Sequence, residues 1–315
     1  MVKVAILDDY QNIALSKGDW GSIPDAQVQS FQDHIADEDA LARRLESFEA
    51  IVAMRERTAF PRSLVERLPN LKLLITTGAR NASFDMAAIN ERGITVSGTR
   101  GSRTSTAELT WGLIIGLTRH LAEEDRNVRE GRWQTTIGPS LAGLKLGCLG
   151  LGNLGKQVAR VGKAFEMDVI AWSQNLTQER CDEVGARLVT KDELFSQSDI
   201  VTIHLVLSDR TRGIVGEREL TMMKPSAYLV NTSRGPIVDE DALIRAVAEG
   251  RIAGAGIDVY SVEPLPANHP YRTLKNTLLT PHIGYVSSDG YDFMYGDAVE
   301  DIKAFVSGSP VRVVS

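Results

Sequence analysis

The segment KLGCLGLGNLGKQVARVGKAF, residues 145–165, carries the strongest indication of the fold of this chain. It carries Gly150, Gly152 and Gly155 in Gly-x-Gly-x-x-Gly spacing, after a buried-strand pattern and before a helix with one apolar face. The spacing alone is weakly specific, but in a strand-turn-helix context the glycines allow a tight turn and a close approach of the backbone to a phosphate. The segment therefore predicts a parallel α/β unit that binds a dinucleotide pyrophosphate at a helix N-terminus.

Short β-branched runs alternate with helical patterns on both sides of this segment. Upstream, the strand patterns include VKVAIL, AIVAM, LKLLIT and ITVSG; downstream, they include DVIAWS, DIVTIHLVL, AYLVNTS and GAGIDVY. Such alternation is typical of doubly wound parallel sheets, so the predicted class is α/β. A small, polar stretch from Ser97 to Ser105 interrupts the upstream series, and 315 residues are enough for two domains.

Two helical patterns lie apart from this alternation. One continuous helix is predicted from about Thr106 to Glu130, and Ser105 and Glu108 have the spacing of a capping box at its start. A second helix is predicted from about Tyr291 to Val306, after the last downstream strand. This closing helix belongs to neither series in chain order.

The composition is that of an ordinary globular protein and excludes several classes of partner. The net charge is −6 with no run of Lys or Arg, so nucleic acid is not expected. Neither a signal peptide nor an apolar run of about 18 residues is present, so we expect a soluble protein without membrane contact. Two cysteines, Cys148 and Cys181, are too few for a disulfide framework or a thiolate zinc site, and a cytoplasmic setting without a bound metal is expected.

The strand after the glycine turn bears on the choice of cofactor. Its pattern, DVIAWSQN, places Ser173 where an NAD-binding fold often has an acid for the adenosine ribose hydroxyls. Serine removes a charge that would repel a 2′-phosphate, and Gln174 and Asn175 add neutral hydrogen-bonding groups. The nearest basic residue downstream is Arg180. The sequence therefore leaves NAD and NADP both open.

Three downstream segments carry groups suited to binding an anion and moving a proton. Arg234 lies in NTSRGPIVDEDAL, Glu263 in GIDVYSVEPLP and His282 in LLTPHIGY. Each alone has a structural explanation: a turn arginine, a carboxylate before proline, a histidine at a strand end. All three follow predicted strands of the sheet that carries the glycine turn. Because ligands bind beyond the carboxyl ends of parallel strands, the three side chains could converge on one crevice.

In order and spacing these segments resemble the D-isomer-specific 2-hydroxy acid dehydrogenase family, and the resemblance extends over essentially the whole chain. It includes LKLLITTGARNASFD and TAELTWGLIIGLTR in the first half. It implies two Rossmann-like doubly wound domains around a cleft, one inserted into the other. Residues 102–286 would form the NAD(P)-binding domain, and residues 1–101 and 287–315 the substrate-binding domain. The segment from Thr106 to Glu130 resembles the family's dimer-forming region, so a homodimer is implied.

The resemblance also implies roles for individual residues. Arg234 would bind substrate, His282 would act as acid and base, and Glu263 would support the histidine. Backbone amides of the loop Thr77, Gly78 and Ala79 would hold the substrate carboxylate, and Asp258 would contact the nicotinamide carboxamide. The implied contacts with NAD or NADP are Thr106, Gly150, Gly152, Asn153, Leu154, Gly155, Ser173, Leu205, Ser233, Asp258, His282 and Gly284.

The implied reaction transfers a hydride between the nicotinamide and a 2-keto acid or D-2-hydroxy acid. His282 would donate a proton to the carbonyl oxygen during reduction. An alternative within the same fold is a dinucleotide-sensing binding protein with little catalysis, although the presence of Arg234, Glu263 and His282 together argues against it. Two positions depart from the family pattern: Ser173 replaces a common aspartate, and Tyr285 stands where a smaller residue is frequent.

Overall fold

The computed structural model describes residues 1–314, and strands and helices alternate along nearly all of this range. Within it, no helix is both long enough and apolar enough to cross a membrane. The strands are β1 (Val2–Ile6), β2 (Ala26–Ser30), β3 (Ala50–Ala53), β4 (Leu73–Thr76), β5 (Thr95–Gly98), β6 (Lys145–Leu149), β7 (Asp168–Trp172), β8 (Arg187–Leu188), β9 (Ile200–Ile203), β10 (Tyr228–Asn231), β11 (Gly254–Ile257) and β12 (Thr277–Leu279). The α-helices are α1 (Ala14–Lys17), α2 (Glu38–Leu45), α3 (Arg62–Val65), α4 (Met86–Glu91), α5 (Ser105–Thr118), α6 (Leu121–Arg129), α7 (Asn153–Ala164), α8 (Gln178–Asp182), α9 (Lys191–Gln197), α10 (Glu217–Met222), α11 (Glu240–Ala248) and α12 (Ser288–Val306). Short 3-10 helices lie at Trp20–Ser22, Gly235–Ile237 and Pro270–Arg272.

The chain divides into two compact units, with the second inserted into the first. The first unit contains Met1–Arg103 and the segment from Val286 onward, and the second contains Thr104–Tyr285. These bounds lie one or two residues from the divisions expected from the sequence. The first unit has a five-stranded parallel sheet in the order β2-β1-β3-β4-β5, with α12 in the same unit.

The second unit has a seven-stranded parallel sheet in the order β12-β11-β10-β9-β6-β7-β8. The chain runs outward from β6 through β7 to β8, then returns to β9 on the other side of β6 and continues to β12. From the same carboxyl edge, the chain after β6 therefore continues toward one side of the sheet, and the chain after β9 continues toward the other side. In open α/β sheets, ligands bind at the carboxyl end of such a reversal of strand order. The glycine turn follows β6 at this point.

Helices cover both faces of this second sheet, as the doubly wound class requires. On one face, Leu149 and Leu229 pack in a buried cluster with Leu243 of α11. On the other face, Cys148 and Val230 pack with Trp111 of α5, among other apolar side chains. Strands covered on both faces are apolar along their whole length, which explains the continuous β-branched runs in the sequence. The predicted α/β class with two parallel sheets is confirmed.

The prediction of one helix from Thr106 to Glu130 is wrong, because the chain turns after Thr118. His120 has a φ of +51°, in the left-handed region, which a right-handed helix of L-residues cannot include. Helix α5 therefore ends at Thr118, and α6 starts at Leu121.

Two helix starts also differ from the sequence prediction. Thr104 occupies the N-cap position of α5 and Ser105 is the first helical residue, so the capping box predicted for Ser105 and Glu108 is wrong. Helix α12 begins at Ser288 rather than near Tyr291. The hydroxyl of Ser287 accepts a hydrogen bond from the Gly290 amide at 3.2 Å, which caps the additional turn.

Candidate active site

The turn between β6 and α7 is shaped by close packing at its end and open space in its middle. A Cβ on Gly155 would lie 2.2 Å from the carbonyl oxygen of Gly150, so glycine is what lets α7 begin this close to β6. A Cβ on Gly152 would meet no atom of residues 1–314 within 4 Å. The two glycines thus have different roles. Gly155 allows α7 to pack close to β6, and Gly152 leaves the backbone of the turn accessible.

Helix α7 presents its N-terminus at this turn. Gly152 is at the N-cap, and Asn153, Leu154 and Gly155 form the first turn. The first amides of a helix have no intrahelical acceptor, and the helix dipole adds partial positive charge. An anionic pyrophosphate can approach these amides from the open side of Gly152. The residues present fit the dinucleotide that the sequence predicts.

Arg234 lies in the turn between β10 and the 3-10 helix that starts at Gly235. Asn231 fixes this turn: its Nδ2 donates to the carbonyl oxygen of Arg234 at 3.0 Å, and its Oδ1 accepts from the Ser233 amide at 3.0 Å. A Cβ on Gly235 would lie 2.2 Å from the carbonyl carbon of Tyr260, so this turn packs directly against the next loop. The backbone position of Arg234 is therefore set by two loops.

Glu263 and His282 form a hydrogen-bonded pair. Nδ1 of His282 lies 2.7 Å from Oε2 of Glu263, and the Tyr260 amide donates to Oε1 of the same carboxylate at 3.0 Å. The side chains of His282 and Glu263 are 13% and 20% exposed. The ring of Tyr285 lies edge-on to the imidazole, with the ring centroids 5.8 Å apart. Because Nδ1 faces Glu263, Nε2 is the ring nitrogen that would exchange a proton with a substrate.

Asp258 holds the loop that carries His282. Its Oδ1 accepts from the Thr280 hydroxyl at 2.6 Å and from the Ile283 amide at 2.8 Å, and its Oδ2 accepts from the Gly284 amide at 2.9 Å. Burial raises the pKa of this carboxyl group, while these hydrogen bonds oppose the rise. The Asp258 carboxylate is thus engaged by its own neighbours. Its expected contact with the nicotinamide stays a prediction.

His204, directly after β9, is a second histidine near the glycine turn, and no motif in the sequence points to it. Its Nε2 lies 3.0 Å from the Thr202 hydroxyl oxygen. Burial lowers the pKa of His204 to about 4, so its ring is uncharged at neutral pH. An uncharged buried imidazole has no extra proton to donate. Of these two histidines, His282 is the candidate acid.

The three groups singled out from the sequence follow neighbouring strands. Arg234, Glu263 and His282 lie on the loops after β10, β11 and β12, at the carboxyl edge of one sheet. Contacts join these three loops: Gly235 packs against Tyr260, which links the loops after β10 and β11, and Glu263 pairs with His282, which links the loops after β11 and β12. Within residues 1–314, no group of three His, Cys, Asp or Glu side chains has a geometry that could hold a metal ion. The arrangement suits acid–base chemistry on a bound anion.

Other expected cofactor residues lie around the same carboxyl edge. The Thr106 hydroxyl donates to the carbonyl oxygen of Gly284 at 2.9 Å, and the Ser233 hydroxyl donates to the carbonyl oxygen of Ile203 at 2.7 Å. Ser173 and Leu205 line one cavity of about 330 Å³. Arg210 lines that cavity too. Arg210 could not be predicted from the sequence, because it follows β9 whereas Ser173 follows β7, and only the fold brings the two loops to one cavity. All these cofactor roles stay predictions.

The loop Thr77–Ala79 lies in the first unit, after β4. The Thr77 amide donates to the carbonyl oxygen of Ala53 at 3.1 Å, and the Gly78 amide donates to the carbonyl oxygen of Thr76 at 2.8 Å. The first of these bonds extends the pairing of β3 with β4. The second closes a tight turn, so both amides donate within the first unit. The substrate-binding roles of Thr77, Gly78 and Ala79 stay predictions.

A family model matches more than half of the chain. Residues 111–284 match the model described as "D-isomer specific 2-hydroxyacid dehydrogenase, NAD binding domain". This range contains the glycine turn and all three of Arg234, Glu263 and His282.

Named relatives cover most of the chain. A glyoxylate reductase of Aeropyrum pernix is 39% identical over 255 residues, which are 78% of this chain and 76% of that protein. A D-3-phosphoglycerate dehydrogenase of Archaeoglobus fulgidus is 35% identical over 86% of this chain, which spans 52% of that protein. The crystal structure of a phosphoglycerate oxidoreductase from Vibrio cholerae has a TM-score of 0.93 at 37% identity, and the match covers 98% of this chain and 100% of that one.

The two glycines give a matched pair of substitutions. Gly155→Ala is expected to lower the free energy of unfolding by about 1–3 kcal/mol, because its Cβ would overlap the Gly150 carbonyl oxygen. This overlap outweighs the ~1 kcal/mol that alanine gains over glycine inside a helix. Gly152→Ala is expected to change the unfolding free energy by less than about 1 kcal/mol but to weaken dinucleotide binding. Urea denaturation and calorimetric titration with NAD⁺ and NADP⁺ measure both effects. Equal destabilisation by the two substitutions, or unchanged affinity in Gly152→Ala, would contradict this description of the turn.

Proposed function

The chain belongs to the D-isomer specific 2-hydroxyacid dehydrogenase family, and we propose that Arg234, Glu263 and His282 carry its reaction. It is an oxidoreductase that transfers a hydride between NAD or NADP and a 2-hydroxy or 2-keto acid. One observation supports the proposed roles above all: Nδ1 of His282 lies 2.7 Å from Oε2 of Glu263. This pair lies at the carboxyl edge of the sheet that carries the glycine turn.

His282 is the proposed proton donor and acceptor. The bound nicotinamide would supply or accept the hydride. During reduction, Nε2 of His282 donates a proton to the carbonyl oxygen of the keto acid; during oxidation, it takes the proton from the hydroxyl group. The Glu263 carboxylate stabilises the imidazolium and fixes the orientation of the ring. The Tyr260 amide in turn fixes the carboxylate.

Arg234 is the proposed substrate-binding residue. A guanidinium group presents a planar fork of donors that matches a carboxylate with two parallel hydrogen bonds. It can also polarise the ketone next to that carboxylate, which the single ammonium group of a lysine would do less well. The turn around Arg234 is held by Asn231 and by close packing on Tyr260.

We propose small 2-keto acids as substrates, with glyoxylate and hydroxypyruvate as the first to test. Relatives of this chain are named glyoxylate reductase, and the Tyr285 ring stands beside the imidazole of His282, where it reduces the space for a large substituent. Steady-state reduction of a panel of 2-keto acids, with NADH and NADPH side by side, tests reaction and substrate size together. No turnover of any member despite tight cofactor binding would favour a dinucleotide-sensing protein.

We also propose a homodimer in a reducing, cytoplasmic setting. Both cysteines are buried free thiols, and the net charge of −6 does not favour nucleic acid as a partner.

Helix α6 and the segment after it expose four large apolar side chains: Leu121, Val128, Trp133 and Ile137, which are 52%, 54%, 76% and 97% exposed. Apolar side chains grouped in one segment in this way are typical of a protein interface.

The proposed dimer predicts a molar mass near twice the 34.4 kDa of the chain by light scattering. Trp133→Ser combined with Ile137→Ser is expected to shift this mass toward the monomer, because both side chains would lose apolar contact area. Val311→Ser, at a position that is 41% exposed in the other unit, is the control and is expected to leave the mass unchanged. A monomeric wild-type protein, or a dimer that persists in the double variant, would overturn the proposal.

Replacing His282 tests the proposed chemistry. His282→Ala is expected to lower turnover of 2-keto acids by roughly 10²- to 10⁴-fold, because proton transfer loses its donor. His269→Ala is the matched control. His269 also faces a carboxylate, Glu240, at 3.2 Å, and its side chain is 15% exposed. This variant is expected to retain near-normal turnover. Near-normal turnover in His282→Ala would end the assignment.

A further inference from the structure

The cavity beyond β7 is built by two loops that are distant in sequence. The loop after β7 contributes Ser173, Gln174 and Asn175, and the loop after β9 contributes Ser208, Arg210 and Thr211, among other lining residues. Trp172, Leu205, Val206 and Ile214 supply its apolar lining. Because Ser173 occupies the strand end expected to contact the adenosine ribose, this is where the adenosine end of a dinucleotide on the glycine turn would lie.

Hydrogen bonds within the loop after β9 define the position of Arg210. The Thr211 hydroxyl donates to the carbonyl oxygen of Val206 at 2.7 Å, and the Ser208 amide donates to that hydroxyl oxygen at 2.8 Å. The Arg212 amide closes the turn on the carbonyl oxygen of Ser208 at 2.9 Å. Arg210 lies inside this closed turn, so its backbone is held at the wall of the cavity.

The charges around the cavity favour an anion. Among the described residues that line it, Arg210 carries a positive charge and none carries a carboxylate. Asp209 is adjacent in sequence but is not part of the lining. Ser173, Gln174 and Asn175 add neutral hydrogen-bonding groups. Hydroxyl and amide groups both donate and accept hydrogen bonds, so they suit a ribose as well as a phosphate. The Arg210 cation, in a lining without a carboxylate, is what favours the phosphate.

We propose that Arg210, together with Ser173 and Asn175, binds the 2′-phosphate of NADP, so that this chain prefers NADP(H) to NAD(H). The inference rests on the proposed function in one respect, that a nicotinamide dinucleotide binds along the glycine turn. A guanidinium group suits a phosphate dianion because it can donate two parallel hydrogen bonds to it. Arg210 is exposed, so salt will weaken the preference.

Binding of nucleotide fragments tests this subsite without catalysis. Calorimetric titration compares adenosine 2′,5′-bisphosphate with adenosine 5′-monophosphate, which differ by the 2′-phosphate. The wild-type protein is expected to bind the bisphosphate about 10- to 100-fold more tightly at low salt, as one charge-assisted contact allows. The ratio is expected to fall as the salt concentration rises.

Three variants assign the preference to particular residues. Arg210→Ala is expected to reduce the ratio to within about threefold of unity, with little change for the monophosphate, because a single charged contact is lost. Arg212→Ala, at an exposed position in the same turn and outside the lining, is the matched control and is expected to keep the ratio. Ser173→Asp is expected to weaken the bisphosphate selectively through charge repulsion.

The outcomes separate this inference from the proposed function. Equal affinity of the wild-type protein for the two fragments, or a ratio unchanged in Arg210→Ala, would overturn the inference even if 2-keto acids are reduced with NADH. A selective loss of bisphosphate binding in Arg210→Ala would support it even if no 2-keto acid is turned over. In Arg210→Ala, the steady-state KM for NADPH is expected to rise as the bisphosphate affinity falls, while the KM for NADH changes little.

Discussion

The parallel direction of the seven strands in the second unit is the constraint on which the proposed site depends. Because all seven point the same way, the loops after β6, β7, β9, β10, β11 and β12 leave from one edge of the sheet. The glycine turn, the cavity at Ser173, and the three proposed reacting groups all lie on these loops. An antiparallel strand among them would place its loop at the opposite edge. The topology therefore accounts for residues far apart in sequence sharing one edge.

Contacts within and between these loops position the backbone of Arg234 and the side chains of Glu263 and His282. Gly235 lies against the backbone of Tyr260, the Tyr260 amide holds Glu263, and Glu263 holds His282. Asp258 fixes the same histidine loop through two amides and a hydroxyl group. Groups held by such contacts need little reorganisation when charge develops in a reaction, and this is how enzymes stabilise a transition state electrostatically. The hydrogen bonds to Asp258 also oppose the rise in its pKa that burial causes.

Much of the fold could be predicted from the sequence because its signals are local. Buried parallel strands are continuous apolar runs, and a glycine turn between strand and helix is recognisable within residues 145–165. Arg234, Glu263 and His282 could be selected because each follows such a strand. The break at His120 gave no local signal, since it depends on a single left-handed backbone angle. Arg210 could not be selected either, because it shares a cavity with Ser173 only when the loops after β7 and β9 lie side by side in the fold. The engagement of the Thr77 amide with Ala53 likewise depends on strand pairing.

The proposed chemistry requires the carboxylate of Glu263 for proton transfer by His282, and Glu263→Gln removes that carboxylate. Glutamine keeps the size of the side chain but cannot neutralise an imidazolium. We expect kcat for 2-keto acid reduction to fall by about 10²-fold or more, while the affinity for NADP⁺ and NAD⁺ stays within about twofold of the wild-type protein. A Glu263→Gln enzyme that turns over like the wild type would contradict this role of Glu263.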